Sequence, residues 1–335
     1  FNFKLSGRVL SATQILSPIS QDMAAVDFVI RSYLNSEVVM IRTVGEYIIG
    51  SGGKRLRPAL VLMIANALGY QPREQEFQDH HLLAATVEFI HTSTLLHDDV
   101  VDESDLRRGR ETANAVFGNA ASVLVGDYLY SRSFEMMVSV DRMEILRVLS
   151  QATTVIAEGE VLQLLNVHDP DVSVERYMQV VRYKTAKLFE ASAEIGAIIC
   201  DVSDELREAA AAYGRHMGTA FQLIDDVLDY SGDAEALGKN VGDDLREGKP
   251  TLPLIRVMEV GDAAQVKLIR DAIETGDANF AEVAVAIQST DALQYTRTLA
   301  EREARLAEEA IADFPDSIFK QSLLQLARFA IERDN

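Results

Sequence analysis

The stretch "LREAAAAYGRHMGTAFQLIDDVLDY", residues 206–230, carries the pattern from which the fold is predicted. Its apolar residues recur every three or four positions, which is the spacing of one face of an α-helix. The same period runs through five further stretches: "MAAVDFVIRSYL" (23–34), "EVVMIRTVGEYIIG" (37–50), "ASVLVGDYLYSRSFEMM" (121–137), "ILRVLSQATTVIAEGEVLQLL" (145–165) and "RYMQVVRYKTAKLFEASAEIGAII" (176–199).

No stretch alternates like a β-strand, and no Ser/Gly-rich linker or short repeat divides the chain. We therefore predict a single all-α domain over residues 19–335. The opening "FNFKLSGR" lacks the basic-then-apolar order of a secretory signal, so residues 1–18 are expected to be a trimmed or disordered N-terminal extension.

Composition narrows the class of protein. Of the 335 residues 48% are hydrophobic, yet no apolar run is long enough to span a bilayer. The single cysteine, Cys200, excludes an internal disulfide and is typical of a reducing cytoplasm. With 52 acidic and 32 basic residues the chain repels polyanions, so nucleic acid is not an expected partner. An anionic ligand would have to be captured locally, by metal ions or by clustered basic residues.

Two acidic motifs stand out against this background. "LLHDDVVDESDLRRGR" (95–110) contains Asp98, Asp99 and Asp102, and "LIDDVLDY" (223–230) repeats the same spacing. Carboxylates four residues apart share one helix face and repel each other, so a bound cation explains the arrangement better than a bare helix does. Oxygen ligands without Cys or His at metal spacing favour Mg²⁺, which often shares its coordination shell with phosphate oxygens. The spacing matches neither an EF-hand nor a di-iron bundle.

Basic motifs accompany the acidic ones. "GSGGKRLRPAL" (50–60) combines glycines, which allow close backbone approach, with Lys and Arg at a predicted helix start, and such a start is a favourable anion site. Further basic residues follow each acidic motif, in "RRG" and in "GKNVGDDLREGKPTLPL", and "YKTAKL" adds a lysine and a hydroxyl. Carboxylate-held metals surrounded by lysine and arginine describe a site for two diphosphates.

In this order and combination, the motifs "GGKRLRP", "DDVVD", "RRG", "KT", "FQLIDDVLD" and "GKNVGDDLREGKPTLP" resemble those of the trans-type polyprenyl diphosphate synthases. The resemblance covers roughly residues 20–330. It implies an isoprenoid-synthase helical bundle around a central cavity, usually as a homodimer, with the two aspartate motifs facing each other across the cavity mouth. The implied reaction is the head-to-tail condensation of isopentenyl diphosphate with an allylic diphosphate such as farnesyl or geranyl diphosphate.

The resemblance also assigns roles to residues. Three Mg²⁺ ions are expected, with metal-binding or metal-supporting positions at Asp98, Asp99, Asp102, Asp225, Asp226 and Asp229. The allylic diphosphate is expected to contact Arg107, Lys184, Lys239 and Lys249. Isopentenyl diphosphate is expected against Gly53, Lys54, Arg57, His91 and Arg108. The catalytic residues are predicted to be Lys184, Thr185 and Gln222, of which Thr185 and Gln222 would stabilise the developing cation by their dipoles.

Product length should depend on the helix face below the first aspartate motif. In the family, bulky aromatic residues four and five positions before the motif close the cavity for short products, whereas this chain has Thr94 and Ser93 there. A long product is therefore expected, centrally octaprenyl within a range from heptaprenyl to decaprenyl, as a precursor of quinone side chains such as that of ubiquinone. Candidate residues for the tunnel floor are Phe134, Met137 and Leu149.

Three alternatives remain open at this point. A class I terpene cyclase shares the fold and one aspartate motif, but does not need "GGKRLRP". A squalene or phytoene synthase-like enzyme also pairs acidic motifs, but has no distinct isopentenyl site. A non-catalytic helical partner subunit of a prenyl synthase tends to lack one aspartate motif. A cytoplasmic enzyme is expected, with transient membrane contact for release of an apolar product.

Overall fold

The computed structural model describes residues 11–107, 109–231, 242–277 and 279–332, and within them the chain is almost entirely helical. The helices are α1 (Ala12–Ile15), α2 (Ser20–Leu34), α3 (Val39–Ile49), α4 (Leu56–Ala67), α5 (Asp79–Val101), α6 (Ala113–Phe117), α7 (Asn119–Ser139), α8 (Met143–Asn166), α9 (Val174–Val180), α10 (Lys187–Ile198), α11 (Asp204–Ser231), α12 (Asp243–Arg246), α13 (Leu252–Val260), α14 (Ala263–Thr275), α15 (Phe280–Ser289), α16 (Ala292–Ala310) and α17 (Ile318–Glu332). The predicted all-α bundle is confirmed.

The centre of the bundle is built by helices that have little or no solvent face. Residues 59–65 of α4 are all fully buried, which is expected of a helix surrounded on every side. Helix α4 packs between α5 and α10, α7 packs on α5, and α11 packs between α10 and α16. The C-terminal ends of α5 and α11, which carry the two aspartate motifs, consequently face the same cavity.

Close contact between α10 and α11 depends on glycines in α11. A Cβ atom at Gly214 would lie 2.4 Å from the carbonyl oxygen of Phe189, and one at Gly218 would lie 2.8 Å from the Cα of Ala186. Because real Cβ atoms do not approach so closely, any larger residue would push α11 away from its neighbour. Gly214 and Gly218 therefore determine how closely α11 approaches the chain around Ala186 and Phe189.

The N-terminal part of the described chain contains a short helix. Helix α1 begins at a capping box between Ser11 and Gln14, and a 3-10 turn follows over Ser17–Ile19. The side chains of Ile15 and Ile19 are buried in the main core, where they contribute apolar area. Ile15 of the predicted extension thus packs in the main core. The boundary at residue 19 stays a prediction, and residues 1–10 lie outside the described residues.

Two short features complete the fold. After the first aspartate motif the chain forms a small antiparallel hairpin, whose two strands, Leu106–Arg107 and Arg110–Glu111, have two residues each. Between α9 and α10, Val181–Ala186 form a π-helical turn where the sequence pattern predicted a continuous α-helix.

Across the described ranges, no helix combines the length and apolar character needed to cross a membrane.

Candidate active site

A cavity of about 720 Å³ lies where the ends of α5 and α11 meet the start of α4. Its wall also includes the ends of α8 and α9, the π-helical turn and the segment that follows α12. Most of the predicted site residues line it, namely Gly53, Lys54, Arg57, His91, Thr94, Asp98, Asp102, Arg107, Lys184, Thr185, Gln222, Asp225, Asp226, Asp229 and Lys249. The sequence motifs thus meet in one place, although they are spread over some 200 positions of the chain.

The first aspartate motif divides into two kinds of carboxylate. Asp98 and Asp102 line the cavity, whereas Asp99 points away from it and is fully buried. Arg107 holds the Oδ1 atom of Asp99 through Nη2 at 2.6 Å and Nε at 2.8 Å. Asp99 therefore contacts the guanidinium group and not the cavity, so its predicted support of the metals would act through the position of Arg107.

The second motif shows a similar division. Asp225, Asp226 and Asp229 all border the cavity, but the side chain of Asp226 is almost fully buried. It accepts hydrogen bonds from the hydroxyl of Tyr177 and from Nε2 of Gln222, the latter at 2.9 Å. The backbone N–H of Asp244 donates to Oδ2 of Asp229 at 3.3 Å, which ties the motif to the start of α12.

The acidic residues fit a divalent cation. Burial raises the pKa of Asp98 above its ordinary value, and nearby Lys184 lowers it only in part. Burial likewise raises the pKa of Asp226, with Asp244 adding to the effect. Carboxylates that are costly to ionise in an empty cavity become favourable ligands once a cation neutralises them. The ligand atoms that these carboxylates offer are all oxygens, which Mg²⁺ prefers.

Lys184 projects from the π-helical turn into the acidic side of the cavity. Its Nζ lies 2.5 Å from Oε2 of Glu160, 2.7 Å from Oε1 of Gln163 and 3.6 Å from Oδ2 of Asp98. Burial alone would lower the pKa of Lys184, but the carboxylates of Asp98 and Glu160 outweigh it, so the pKa lies above its ordinary value. The ammonium group is therefore charged and held beside the first aspartate motif.

The next residue of the turn pairs with α11. The hydroxyl of Thr185 donates to Oε1 of Gln222 at 2.9 Å, while Nε2 of the same amide donates to Asp226. This chain of hydrogen bonds fixes the orientation of the amide dipole in the cavity wall. The two residues predicted to stabilise a developing cation are thus in direct contact.

Arg57 and His91 form a basic part of the cavity wall. The Nη1 atom of Arg57 lies 3.3 Å from Nε2 of His91, and its guanidinium group stacks 4.3 Å from the ring centroid of Phe189. Lys54 Nζ lies 5.7 Å from the ring centroid of Phe329. Exposed Gly53 also lines the cavity with these residues. The group predicted for isopentenyl diphosphate is therefore assembled, except for Arg108, which lies outside the described residues.

Lys249 reaches the first aspartate motif from the segment after α12. Its Nζ lies 3.0 Å from Oδ2 of Asp102 and 2.5 Å from Oε2 of Glu247. The carboxylates around it, of which Asp244 has the largest effect, raise the pKa of Lys249 against the opposing influence of burial. Lys239, also predicted to contact the allylic diphosphate, lies outside the described residues.

The segment that carries Lys249 is held by His168. The backbone N–H of His168 donates to the carbonyl of Gly248 at 2.9 Å, and its Nδ1 lies 2.9 Å from the carbonyl oxygen of Ile273. Gly248 has a φ of +67°, and a Cβ atom there would lie 2.2 Å from Nδ1 of His168. Only glycine fits this contact without moving the chain.

We expect Gly248→Ala to lower kcat about tenfold or more, because the added methyl group displaces the backbone next to Lys249. Steady-state kinetics with both diphosphates would measure the effect. Gly69→Ala is the matched control, since Gly69 also has a positive φ of +80° but a Cβ atom there would meet nothing within 4 Å. Equal kcat values for the two variants would contradict the role of the His168 contact.

The residues predicted to control product length occupy two environments. Thr94 lines the cavity one helical turn below Asp98, and its hydroxyl donates to the carbonyl of His91 at 2.8 Å. Ser93, Met137 and Leu149 are buried and lie outside the cavity lining, as does the partly buried Phe134. Their roles in product length stay predictions.

Several residues of the cavity wall were not identified from the sequence. Glu160 and Gln163 hold Lys184, and Tyr177 holds Asp226, but all three sit within ordinary amphipathic helices and carry no local motif. Burial raises the pKa of Glu160 to about 7, against the lowering effect of Lys184. Asp243 and Asp244 also border the cavity. Their only signal is the acidic pair in "VGDDLREGKP", directly before Lys249.

The sequence is similar to those of known long-chain prenyl diphosphate synthases. The chain is 52% identical over 317 residues to octaprenyl diphosphate synthase of Escherichia coli (strain K12), covering 94% of this chain and 97% of that protein. It is 46% identical to the geranyl-diphosphate-specific all-trans-nonaprenyl-diphosphate synthase of Rhodobacter capsulatus, covering 95% of this chain and 97% of that protein.

Solved structures agree as well. A polyprenyl synthase from Caulobacter crescentus CB15, crystallised with calcium and isoprenyl diphosphate, superposes with a TM-score of 0.92 at 41% identity, covering 98% of this chain and 100% of that one. A decaprenyl diphosphate synthase from Rhodobacter capsulatus gives a TM-score of 0.91 at 42% identity, covering 97% and 100%. The predicted isoprenoid-synthase fold is confirmed.

The family profile described as "Polyprenyl synthetase" matches residues 38–290, a range that contains the basic motif and both aspartate motifs. The predicted family is therefore confirmed: the chain belongs to the polyprenyl synthetase family.

Proposed function

We propose that this enzyme elongates an allylic diphosphate, farnesyl or geranyl diphosphate, by repeated head-to-tail condensation with isopentenyl diphosphate. The observation that carries the proposal is one cavity lined both by the two aspartate motifs and by a basic group, Arg57, His91 and Lys54. Two separate charged surfaces suit two diphosphates that must approach each other. The similarity to octaprenyl and nonaprenyl diphosphate synthases supports the same reaction.

The allylic diphosphate is assigned to the acidic side. Asp98, Asp102 and Asp225 would hold Mg²⁺ there, in our proposal three ions, and Mg²⁺ would supply the Lewis-acid charge that makes diphosphate a better leaving group. Lys184 and Lys249 already lie beside Asp98 and Asp102. Their ammonium groups can therefore bind the same diphosphate and neutralise the charge that develops as the C–O bond breaks.

Isopentenyl diphosphate is assigned to the basic side. The start of α4 and the guanidinium group of Arg57 favour an anion there. The ring of Phe189 beneath Arg57 limits where the guanidinium can move, which orients it toward the cavity. Arg108 and Lys239 complete the proposed diphosphate contacts.

Condensation then follows from the positions of the two substrates. Ionisation of the allylic diphosphate leaves a carbocation, which the double bond of isopentenyl diphosphate attacks, and loss of a proton to the released diphosphate restores an allylic product. The Thr185–Gln222 pair presents oriented dipoles to the positive charge. The segment containing Gly248 and Lys249 covers the diphosphates and helps to exclude water, which would otherwise trap the cation.

We propose octaprenyl diphosphate as the main product, within the range from heptaprenyl to decaprenyl, as a precursor of quinone side chains. Thr94 at the cavity wall and Ser93 behind it are small, so the growing tail is not stopped directly below Asp98. Relatives named for long products support this proposal, since the octaprenyl, nonaprenyl and decaprenyl diphosphate synthases are 52%, 46% and 42% identical to this chain.

The competing functions account for fewer features of the cavity. A terpene cyclase has no second diphosphate to bind, so it leaves the basic wall of Arg57 and His91 unexplained. A non-catalytic partner subunit leaves unexplained why both aspartate motifs and Lys184 converge. A squalene or phytoene synthase-like reaction likewise needs no separate isopentenyl site.

We further propose a cytoplasmic homodimer that contacts membranes only transiently to release product. An outward face of α7 supports a self-association surface, because the side chains of Leu124 and Val138 are 67% and 62% exposed.

Incubation with farnesyl diphosphate, isopentenyl diphosphate and Mg²⁺ tests the proposed function. We expect diphosphate release to require isopentenyl diphosphate and the products to form a ladder of five-carbon steps ending near octaprenyl, measured by mass spectrometry after dephosphorylation. Diphosphate release from farnesyl diphosphate alone, with a cyclic hydrocarbon as product, would instead identify a terpene cyclase.

A further inference from the structure

A second group of candidate metal ligands lies well away from the aspartate motifs. Asp22 in the first turn of α2 contacts His80 and His81 in the first turn of α5. Asp98 lies near the other end of α5, and at 1.5 Å per residue the intervening helix separates it from His81 by about 25 Å. The three residues, here called the α2–α5 cluster, therefore play no part in the proposed diphosphate chemistry.

The distances within the cluster match a small coordination sphere. The Nε2 atoms of His81 and His80 lie 2.9 and 3.5 Å from the same oxygen, Oδ1 of Asp22. All three potential ligand atoms lie within 4.8 Å of one another. A tetrahedral Zn²⁺ ion with ligands at about 2.0–2.2 Å requires ligand atoms roughly 3.3 Å apart. The separations of 2.9 and 3.5 Å from Oδ1 of Asp22 lie on either side of this value.

His80 is the member whose hydrogen bonding is least complete. Its side chain is only 6% exposed, and its Nδ1 atom is buried without a hydrogen-bond partner. Its Nε2 atom lies at 3.5 Å from Asp22, long for a hydrogen bond. The Nε2 atom is the one that faces Asp22, and a metal ion bound there would replace the long contact with a shorter bond.

The surroundings hold the ligands in position. Nδ2 of Asn66 donates to Oδ2 of Asp22 at 3.1 Å, which fixes the carboxylate and leaves Oδ1 directed at the imidazoles. The ring of His80 lies between that of Tyr70, at a centroid distance of 4.3 Å, and that of His81, at 3.9 Å. The Asp22 side chain is 26% exposed, so a water molecule can reach the cluster as a further ligand.

The ligand atoms also indicate which metal fits. Two nitrogens and one oxygen favour Zn²⁺ over Mg²⁺, which prefers oxygen ligands alone.

We propose that Asp22, His80 and His81 bind one Zn²⁺ ion, with water as the fourth ligand, and that this ion joins the start of α2 to the start of α5. The site stabilises the folded chain, because binding to a preformed site favours the folded state. It is separate from the Mg²⁺ site, and condensation does not require it.

Isothermal titration of the full chain with ZnCl₂, in a buffer containing saturating Mg²⁺, tests the proposal. We expect one Zn²⁺ per chain in the wild type and in an Asp98→Ala/Asp225→Ala double variant, and none in His81→Val or Asp22→Asn. Cobalt(II) should give the intense visible absorption of a tetrahedral site in the first two proteins only. At a free Zn²⁺ concentration of 100 Kd the folded-to-unfolded ratio should rise about 100-fold.

His216→Gln is the matched control, because His216 also pairs with a carboxylate, Glu303, at 2.6 Å. This variant should keep full Zn²⁺ binding. Circular dichroism checks that the two cluster variants remain folded, and Asp22→Asn preserves side-chain shape should His81→Val unfold. Absence of Zn²⁺ binding in the wild type, undiminished binding in both cluster variants, or loss of binding in the Asp98→Ala/Asp225→Ala protein would overturn the proposal.

Discussion

Replacing Asp98 with alanine is expected to lower turnover at least about a thousandfold while leaving the helical content unchanged. Asp98 borders the cavity beside Lys184, and burial raises its pKa, so a bound cation would favour its ionised form. Without it, the proposed Mg²⁺ ions lose a ligand on the α5 side. Asp225→Ala should have a comparable effect from the α11 side. Incorporation of labelled isopentenyl diphosphate measures turnover, and circular dichroism measures helical content.

Asp105→Ala is the matched control for this experiment. Asp105 lies three residues beyond Asp102, is exposed, and does not line the cavity. The control should retain wild-type activity. Normal turnover in Asp98→Ala or Asp225→Ala would mean that the aspartate motifs do not hold the metal.

The second large effect is expected on the product and not on the rate. Thr94→Phe should shorten the main product by several isoprene units, because the ring would enter the cavity about 6 Å below Asp98, where the tail must pass. Ser93→Phe should act in the same direction, although Ser93 is buried and the larger side chain also costs about 1–3 kcal/mol of stability through overpacking. Mass spectrometry of dephosphorylated products measures the length.

Thr94→Val separates the effect of side-chain volume from the effect of the hydroxyl group. It removes the hydroxyl that donates to His91 but leaves the volume nearly unchanged, so product length should stay at its wild-type value. If the phenylalanine variants and the valine variant all make the wild-type product, the tail does not pass this helix face.

The helices could be predicted from the sequence because their signals are local and repeated. The three-to-four periodicity of residues 206–230 predicts the helix that carries Asp225, and the acidic spacing predicts that Asp98 shares a face with Asp102. Both depend only on the geometry of a single helix. The cavity, and the meeting of the two motifs at its mouth, were implied by the resemblance to the polyprenyl diphosphate synthases.

The roles of neighbouring carboxylates could not be predicted in the same way. Asp98 and Asp99 are identical in type and adjacent in sequence, yet the first lines the cavity and the second is fully buried against Arg107. The difference arises from the hairpin after α5, which returns Arg107 to the helix. Such a contact depends on the path of the chain, and periodicity does not encode it.

Longer-range contacts were missed for the same reason. Glu160 on α8 holds Lys184 only because the π-helical turn brings the two together, and the sequence of that turn reads as ordinary helix. His168 holds Gly248 across the fold through backbone groups that any residue possesses. The α2–α5 cluster is a further case, since Asp22 and His81 lie in separate helices with no shared motif.

A crystal of this protein grown with Mn²⁺ and an unreactive thio analogue of farnesyl diphosphate tests the central claim most directly. Anomalous scattering locates the metal ions without reference to the protein coordinates. We predict manganese peaks bridging the diphosphate to Asp98 and Asp102 on α5 and to Asp225 on α11, with Lys184 and Lys249 on the same diphosphate. Peaks confined to one motif, or a diphosphate bound away from both, would contradict the account.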